Sequence, residues 1–124
     1  MITITKQFTF EAAHKLPYHS GVCRNLHGHH FILEIEVSGP IIQNGPETGM
    51  IMDFSNLKSI VKNKIIDKLD HHYLNDKFAN PTSEVIVNWI TNELSVELPG
   101  LYRVRLYETP TSYAEWKNTG SNKA

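Results

Sequence analysis

Residues 27–39 read His27-Gly28-His29-His30-Phe31-Ile32-Leu33-Glu34-Ile35-Glu36-Val37-Ser38-Gly39. Successive side chains on a strand point to opposite faces. Phe31, Leu33, Ile35 and Val37 then share one face and His30, Ile32, Glu34 and Glu36 the other, which predicts a half-buried strand. The same period runs upstream. Ile2, Ile4, Phe8, Phe10 and Ala12 alternate with Thr3, Thr5, Gln7, Thr9 and Glu11, which predicts a strand over 2–14 with His14 on its apolar parity. Residues 15–26, with Pro17, Ser20, Gly21 and Asn25, read as the loop between them.

Downstream, Gly45-Pro46-Glu47-Thr48-Gly49 is a turn signal, and Met50 to Met52 are expected to form a short strand returning beside residues 27–39. The period then becomes helical. Leu57, Ile60, Val61, Ile65 and Leu69 form one stripe, with Asp53 or Ser55 as the cap. Asn80-Pro81 opens a second helix, whose stripe is Val85, Ile86, Trp89, Ile90 and Leu94, and Pro99-Gly100 ends it. A strand over 101–108 is expected to turn Tyr102, Val104 and Leu106 inward and Arg103, Arg105 and Tyr107 outward. A last short strand is expected around Tyr113 to Trp116. Strands, then two helices, then strands make an α+β fold. The sheet has two free edges, which invites pairing between subunits.

A chain of 124 residues suits one domain. That domain is taken as 1–117, with 118–124 expected to be a disordered tail. Lys and Arg number 12 against 13 Asp and Glu, for a net charge of -1, which argues against a broad basic surface for nucleic acid or anionic lipid. A single cysteine excludes an intrachain disulfide framework and fits a reducing compartment. No apolar run has signal-peptide or membrane-spanning length, so a cytoplasmic domain without a membrane partner is expected. Seven histidines are the unusual count.

His27 and His29 share a strand face, while His30 points away. If the first two strands pair antiparallel, the end of one meets the start of the next, and His14 joins His27 and His29 at one end of the sheet. Three neutral imidazoles with an open fourth position are a catalytic zinc arrangement. Gly28, between two of them, is expected to keep a side chain from crowding the metal. The competing reading is three half-buried histidines, each satisfied separately. Cys23 lies four residues before His27. As a fourth ligand it would close the site and make the metal structural; as a neighbour it would be a base or nucleophile.

Asp70-His71 follows the first helix. A histidine beside a carboxylate suits a base with its orienter, although a surface aspartate and a histidine favouring a helix C-terminus would look the same. Glu108 falls on the parity of Val104 and Leu106. A carboxylate on an apolar face is costly unless paired, and a planar ligand with two adjacent N–H donors would pair it. A strand-end side chain escaping to water, or one paired with an internal arginine, is the alternative.

Five segments together resemble one family. They are Phe10-Glu11-Ala12-Ala13-His14, Cys23 to Phe31, Leu69-Asp70-His71-His72-Tyr73-Leu74-Asn75-Asp76, Asn80-Pro81-Thr82-Ser83-Glu84 and Tyr107-Glu108-Thr109, continued by Pro110-Thr111-Ser112. The family is that of 6-pyruvoyltetrahydropterin synthase. The Cys-x3-His-Gly-His spacing is similar to its bacterial branch, which makes 6-carboxy-5,6,7,8-tetrahydropterin for queuosine.

The resemblance implies a tunnelling fold: a four-stranded antiparallel sheet with two helices on one face, joined between subunits into a barrel as a trimer or hexamer. It implies that His14, His27 and His29 bind zinc and that Cys23 is the general acid/base. It assigns Asp70 and His71 to a relay with the cysteine, and Glu108 to anchoring the pterin ring, helped by Thr82 and Ser83. Lys15 and Arg24 are candidates for holding the triphosphate. The implied reaction converts 7,8-dihydroneopterin triphosphate to 6-carboxy-5,6,7,8-tetrahydropterin, acetaldehyde and triphosphate. Its rivals are triphosphate elimination without carbon–carbon cleavage, a non-catalytic metal-binding module, and a pterin-binding subunit without chemistry.

Overall fold

The structure is a computed structural model and describes residues 1–120. Of the expected tail over 118–124, residues 121–124 lie outside the described residues. Within it, the Asn118 N–H donates to the Tyr102 carbonyl, 2.8 Å.

Strands β1 (Ile2–His14) and β2 (His27–Gly39) pair antiparallel along their whole length, from Ile2 opposite Gly39 to His14 opposite His27. The alternation predicted from the sequence is the cause. Phe10, Ala12 and His14 on β1, and Phe31, Leu33, Ile35 and Val37 on β2, are buried on one face. The Phe10 and Phe31 rings stack at 4.9 Å.

The sheet has five strands rather than four, in the order β3-β1-β2-β4-β5. The extra strand, β3 (His72–Tyr73), is two residues long and parallel to β1. The four long strands, which include β4 (Leu101–Thr109) and β5 (Ser112–Lys117), pair antiparallel with one another. The short strand expected at Met50 to Met52 does not form. Instead the loop is pinned by two backbone bonds, Ile42 N–H to the Met50 carbonyl and Gly49 N–H to the Ile42 carbonyl, both 2.8 Å.

Tyr102 departs from its expected inward orientation. The β2–β4 register slips between Glu36 and Val37, so Val37 faces Leu101 while Glu36 faces Arg103. One extra residue in a strand reverses the side-chain sense beyond it. Leu101 accordingly takes the buried place, and Tyr102 is half-buried. Gly100 makes the close approach at this point, because a Cβ there would collide with the Ser38 carbonyl.

Helix α1 (Phe54–Val61) is capped by Asp53, whose carboxylate accepts the Ser55 N–H at 2.8 Å. It continues through a π-helical stretch, Lys62–Ile66, to Leu69. The buried stripe explains the change: Leu57, Val61, Ile65 and Leu69 repeat every four residues. In a regular helix of 3.6 residues per turn that stripe would drift by about 40° per repeat. Wider π turns keep it facing the sheet. Helix α2 (Ser83–Ser95) is capped by the Thr82 hydroxyl, which accepts the Val85 N–H at 3.2 Å.

Both helices join the sheet in one core. The opposite face of the sheet is a lattice of charges. Arg103 Nε lies 2.6 Å from Glu36 and Arg105 Nε 2.7 Å from Glu115, and Glu34 lies 3.4 Å from Arg103. No helix among the described residues is long and apolar enough to cross a membrane.

Candidate active site

The β1–β2 register sets His14 opposite His27 and Ala12 opposite His29. The three imidazoles pack edge to face, with ring centroids 4.6–5.2 Å apart. One ring nitrogen from each lies within 4.8 Å of the others, so the group can hold a metal ion. His30 leaves to the other face, where its ring nitrogen meets the Glu11 carboxylate.

Two backbone carbonyls orient the rings. His14 Nδ1–H donates to the Pro81 carbonyl at 2.8 Å, and His27 Nδ1–H donates to the Asn25 carbonyl at 2.7 Å. A carbonyl can only accept, so the proton sits on Nδ1 and the Nε2 lone pair is left free. Hydrogen bonds of this kind fix the tautomer and aim of metal-ligating histidines. Burial pushes the His14 pKa below its ordinary 6.5, against the opposing pull of the Pro81 hydrogen bond. Burial lowers His29 as well, against the pull of Glu108. Both shifts favour the neutral form that binds a cation.

Glu108 completes the group. Its Oε1 lies 3.3 Å from His14 Nε2 and 3.6 Å from His29 Nε2. Both nitrogens are buried without a hydrogen-bond partner. With the His14 proton held by Pro81, a lone pair and a carboxylate oxygen face each other with no donor between them. Two acceptors at that distance repel unless a cation lies nearby. The residues therefore fit a metal ion on grounds of their own chemistry.

Glu108 also lines a groove of about 520 Å³ between α2 and β5, whose walls include Ser83, Asn88, Tyr113 and Trp116. That volume is in the range of small-molecule sites. Thr82 stands at the head of α2 with its hydroxyl engaged as the cap.

The remaining candidates lie outside this cluster. Cys23 sits half-buried in a single 3-10 turn, Val22–Arg24, and is not in the metal-binding group. The closed four-ligand site therefore has no support among the described residues. The Asp70 carboxylate lies 3.0 Å from His71 Nδ1. The Glu11 N–H donates to the Asp70 carboxylate at 2.9 Å, and this bond, ahead of the smaller pull of His71, holds the Asp70 pKa below its ordinary value. His71 is 77% exposed and has φ 59°, in the left-handed region that few non-glycine residues enter, with asparagine, aspartate and histidine the more tolerant ones. Among the described residues no hydrogen bond joins Cys23 to this pair.

The crowding role expected for Gly28 is not borne out. On a strand its Cβ would point away from the face shared by His27 and His29, where the nearest atom beyond its neighbours is the Ala12 carbonyl at 3.7 Å. The sequence reading also missed the carbonyls of Asn25 and Pro81, because a backbone acceptor carries no residue signature.

Residues 3–119 match the family model described as 6-pyruvoyl tetrahydropterin synthase. A protein of Synechocystis sp. named 6-carboxy-5,6,7,8-tetrahydropterin synthase is 47% identical over 120 residues, covering 94% of this chain and 93% of the relative. One of the same name from Haemophilus influenzae is 38% identical over 140 residues, covering 94% and 99%. The solved structure of Caenorhabditis elegans 6-pyruvoyl tetrahydropterin synthase superimposes with a TM-score of 0.81 at 25% identity, covering 95% of this chain and 96% of that one.

Proposed function

The chain belongs to the 6-pyruvoyl tetrahydropterin synthase family, and from that premise we propose that it is a zinc-dependent lyase of queuosine biosynthesis, converting 7,8-dihydroneopterin triphosphate and water to 6-carboxy-5,6,7,8-tetrahydropterin, acetaldehyde and triphosphate. The observation that carries this reading is the convergence of His14, His27 and His29 beside Glu108, in a chain 47% identical to a protein of that named activity.

His14, His27 and His29 hold the zinc ion. Bound there, it supplies Lewis acidity to oxygens of the substrate side chain. Glu108 accepts hydrogen bonds from the amino and ring N–H groups of the pterin and so fixes where the side chain lies. Ser83 borders the ring's groove, and Thr82 caps the helix that carries it. Cys23 takes and returns protons at the side-chain carbons. His71 relays them, and Asp70, held anionic by the Glu11 N–H, favours the imidazolium that forms. Lys15 and Arg24 face the triphosphate.

Among the described residues no hydrogen bond joins Cys23 to the Asp70–His71 pair, an arrangement compatible with a site shared between subunits. Among the described residues the sheet leaves most of the outer edge of β1, and the outer edge of β5, unpaired. Such edges suit closure into a barrel as a trimer or hexamer.

The test is product identification after incubation of the zinc-loaded protein with 7,8-dihydroneopterin triphosphate. Stoichiometric acetaldehyde with 6-carboxy-5,6,7,8-tetrahydropterin is expected. Triphosphate release without acetaldehyde would favour the 6-pyruvoyl reaction, the reading that the fold match to the worm enzyme supports. Binding without consumption would leave a pterin-binding subunit.

A further inference from the structure

One amide group ties together the segments that carry the reactive side chains. Strand β3 pairs with β1 only at Ala12–His72 and Ala13–Tyr73. Before that short ladder, Asp70 accepts the Glu11 N–H at 2.9 Å, and the His71 N–H donates to the Glu11 carbonyl at 2.6 Å. After it, the Asn75 side chain takes over the role of a strand. Its Oδ1 accepts the Lys15 N–H and its Nδ2–H donates to the Lys15 carbonyl, both at 2.9 Å. Asn75 pairs with both backbone groups of one residue, as a neighbouring strand would, and so extends the ladder to cover residues 11–15. Among side chains of this length only asparagine offers a donor and an acceptor together in a planar pair. The chain then passes to Leu16, whose N–H donates to the Cys23 carbonyl at 2.7 Å. Whatever holds Lys15 also steadies the anchor of the Cys23 turn.

We propose that Asn75 is a positioning residue, whose amide locks the exit of β1, and through Leu16 the Cys23 turn, into one rigid unit with Asp70 and His71. The inference rests on the proton-carrying roles proposed for those three residues. In the shared site proposed above each chain gives Cys23 to one site and Asp70 with His71 to another, so a rigid link between its halves sets how the groups meet. His71 adds to the need, since its φ of 59° lies in the left-handed region and persists where the surrounding bonds hold the segment.

Asn75 bonds the backbone beside His14 but none of the metal-ligand rings, since His14 takes its ring orientation from Pro81 and His27 from Asn25. It also acts apart from the fold. Leu74 and Phe78, on either side, are 1% and 9% exposed in the core and anchor the segment without it.

The experiment compares Asn75→Ala and Asn75→Asp with the wild type as full-length, zinc-loaded protein. Measured are zinc per chain, melting temperature, the rate of Cys23 alkylation by iodoacetamide, and kcat and KM separately. Aspartate keeps the acceptor for the Lys15 N–H but sets an oxygen against the Lys15 carbonyl, so it should follow alanine. Zinc content is expected to be unchanged. Cys23 alkylation should rise on the order of tenfold as the turn opens locally. The loss in kcat should be roughly 10- to 100-fold with KM within about twofold, the signature of misplaced groups rather than lost binding.

Unchanged alkylation and kcat in both variants would overturn the inference. So would zinc lost in step with activity, which would place the effect on the metal centre. A wild type that consumes no 7,8-dihydroneopterin triphosphate would sink the proposed reaction instead, and the alkylation rates would still decide the role of Asn75.

Discussion

The Glu108 carboxylate oxygen lies 3.3 Å from His14 Nε2, and no proton is available for the two to share, because the His14 proton is donated to Pro81. That relationship gives Glu108 two competing uses, as a partner for the pterin ring or as part of the metal shell. Glu108→Ala separates them. Removing a charged acceptor from two ligand N–H groups should weaken pterin binding on the order of 100-fold, while zinc per chain stays at the wild-type value. Calorimetry with a pterin and metal analysis on the same sample make the comparison. Parallel loss of both would put Glu108 in the metal shell.

Strand parity makes a sharper prediction about adjacent histidines. His29 belongs to the metal-binding group, whereas His30 lies on the opposite face against Glu11. His29→Ala should lose zinc on dialysis and with it all turnover. His30→Ala should keep one zinc per chain. Loss of zinc from the second variant would contradict the register that pairs Ala12 with His29.

How far the molecule can be read from its chain depends on what each feature rests on. The ends of β1 and β2 agree with the alternation because an apolar face must be buried and a one-residue slip would expose all of it. The convergence of His14, His27 and His29 is legible for the same reason: it is a consequence of parity and antiparallel pairing. Tyr102 is where that logic stops, since a slipped register is a long-range packing event without local pattern. The absent strand at Met50 to Met52 is a similar case, as three apolar residues satisfy strand and loop equally well. The π stretch in the first helix left a trace in the four-residue spacing of its buried side chains, whereas the β3 clasp rests on side-chain and backbone bonds from Asp70 and Asn75 that no periodicity encodes. The Asn25 and Pro81 carbonyls were hidden for the reason that any residue could supply them.

Among the described residues, a hydroxyl in the core of α2 does no visible structural service. Thr91 is 7% exposed in α2 and its hydroxyl has no hydrogen-bond partner. Burying an unpaired hydroxyl costs more than replacing it with a methyl group of the same shape. Helix propensity barely separates threonine from valine. Thr91→Val is expected to stabilise the protein by about 1 kcal/mol, seen as a melting temperature higher by roughly 4 °C. A lower melting temperature would mean that the hydroxyl is satisfied in solution. Activity should be unaffected, because Thr91 faces the core and not the groove.

Acid should open the clasp at Asp70 before it touches the centre of the sheet. The Asp70 pKa is held below its ordinary 3.8, first by the hydrogen bond from the Glu11 N–H and then by His71. A carboxyl lowered in the folded state contributes stability that is fully present above its unfolded pKa. That contribution is lost as pH falls through the folded value. Asp70 is about a third exposed, so solvent screens the effect and keeps it local. Between pH 7 and 5 the protection of the His71 amide, which donates to Glu11, should stay constant. Below about pH 4 it should fall while amides of Phe31 to Val37 remain protected. Hydrogen exchange on metal-free protein, corrected for intrinsic rates, measures this directly. Asp70→Asn should flatten the profile, because a neutral amide oxygen accepts the Glu11 N–H at every pH. A wild-type profile equally flat would show that the Asp70 charge does not hold β3 to β1.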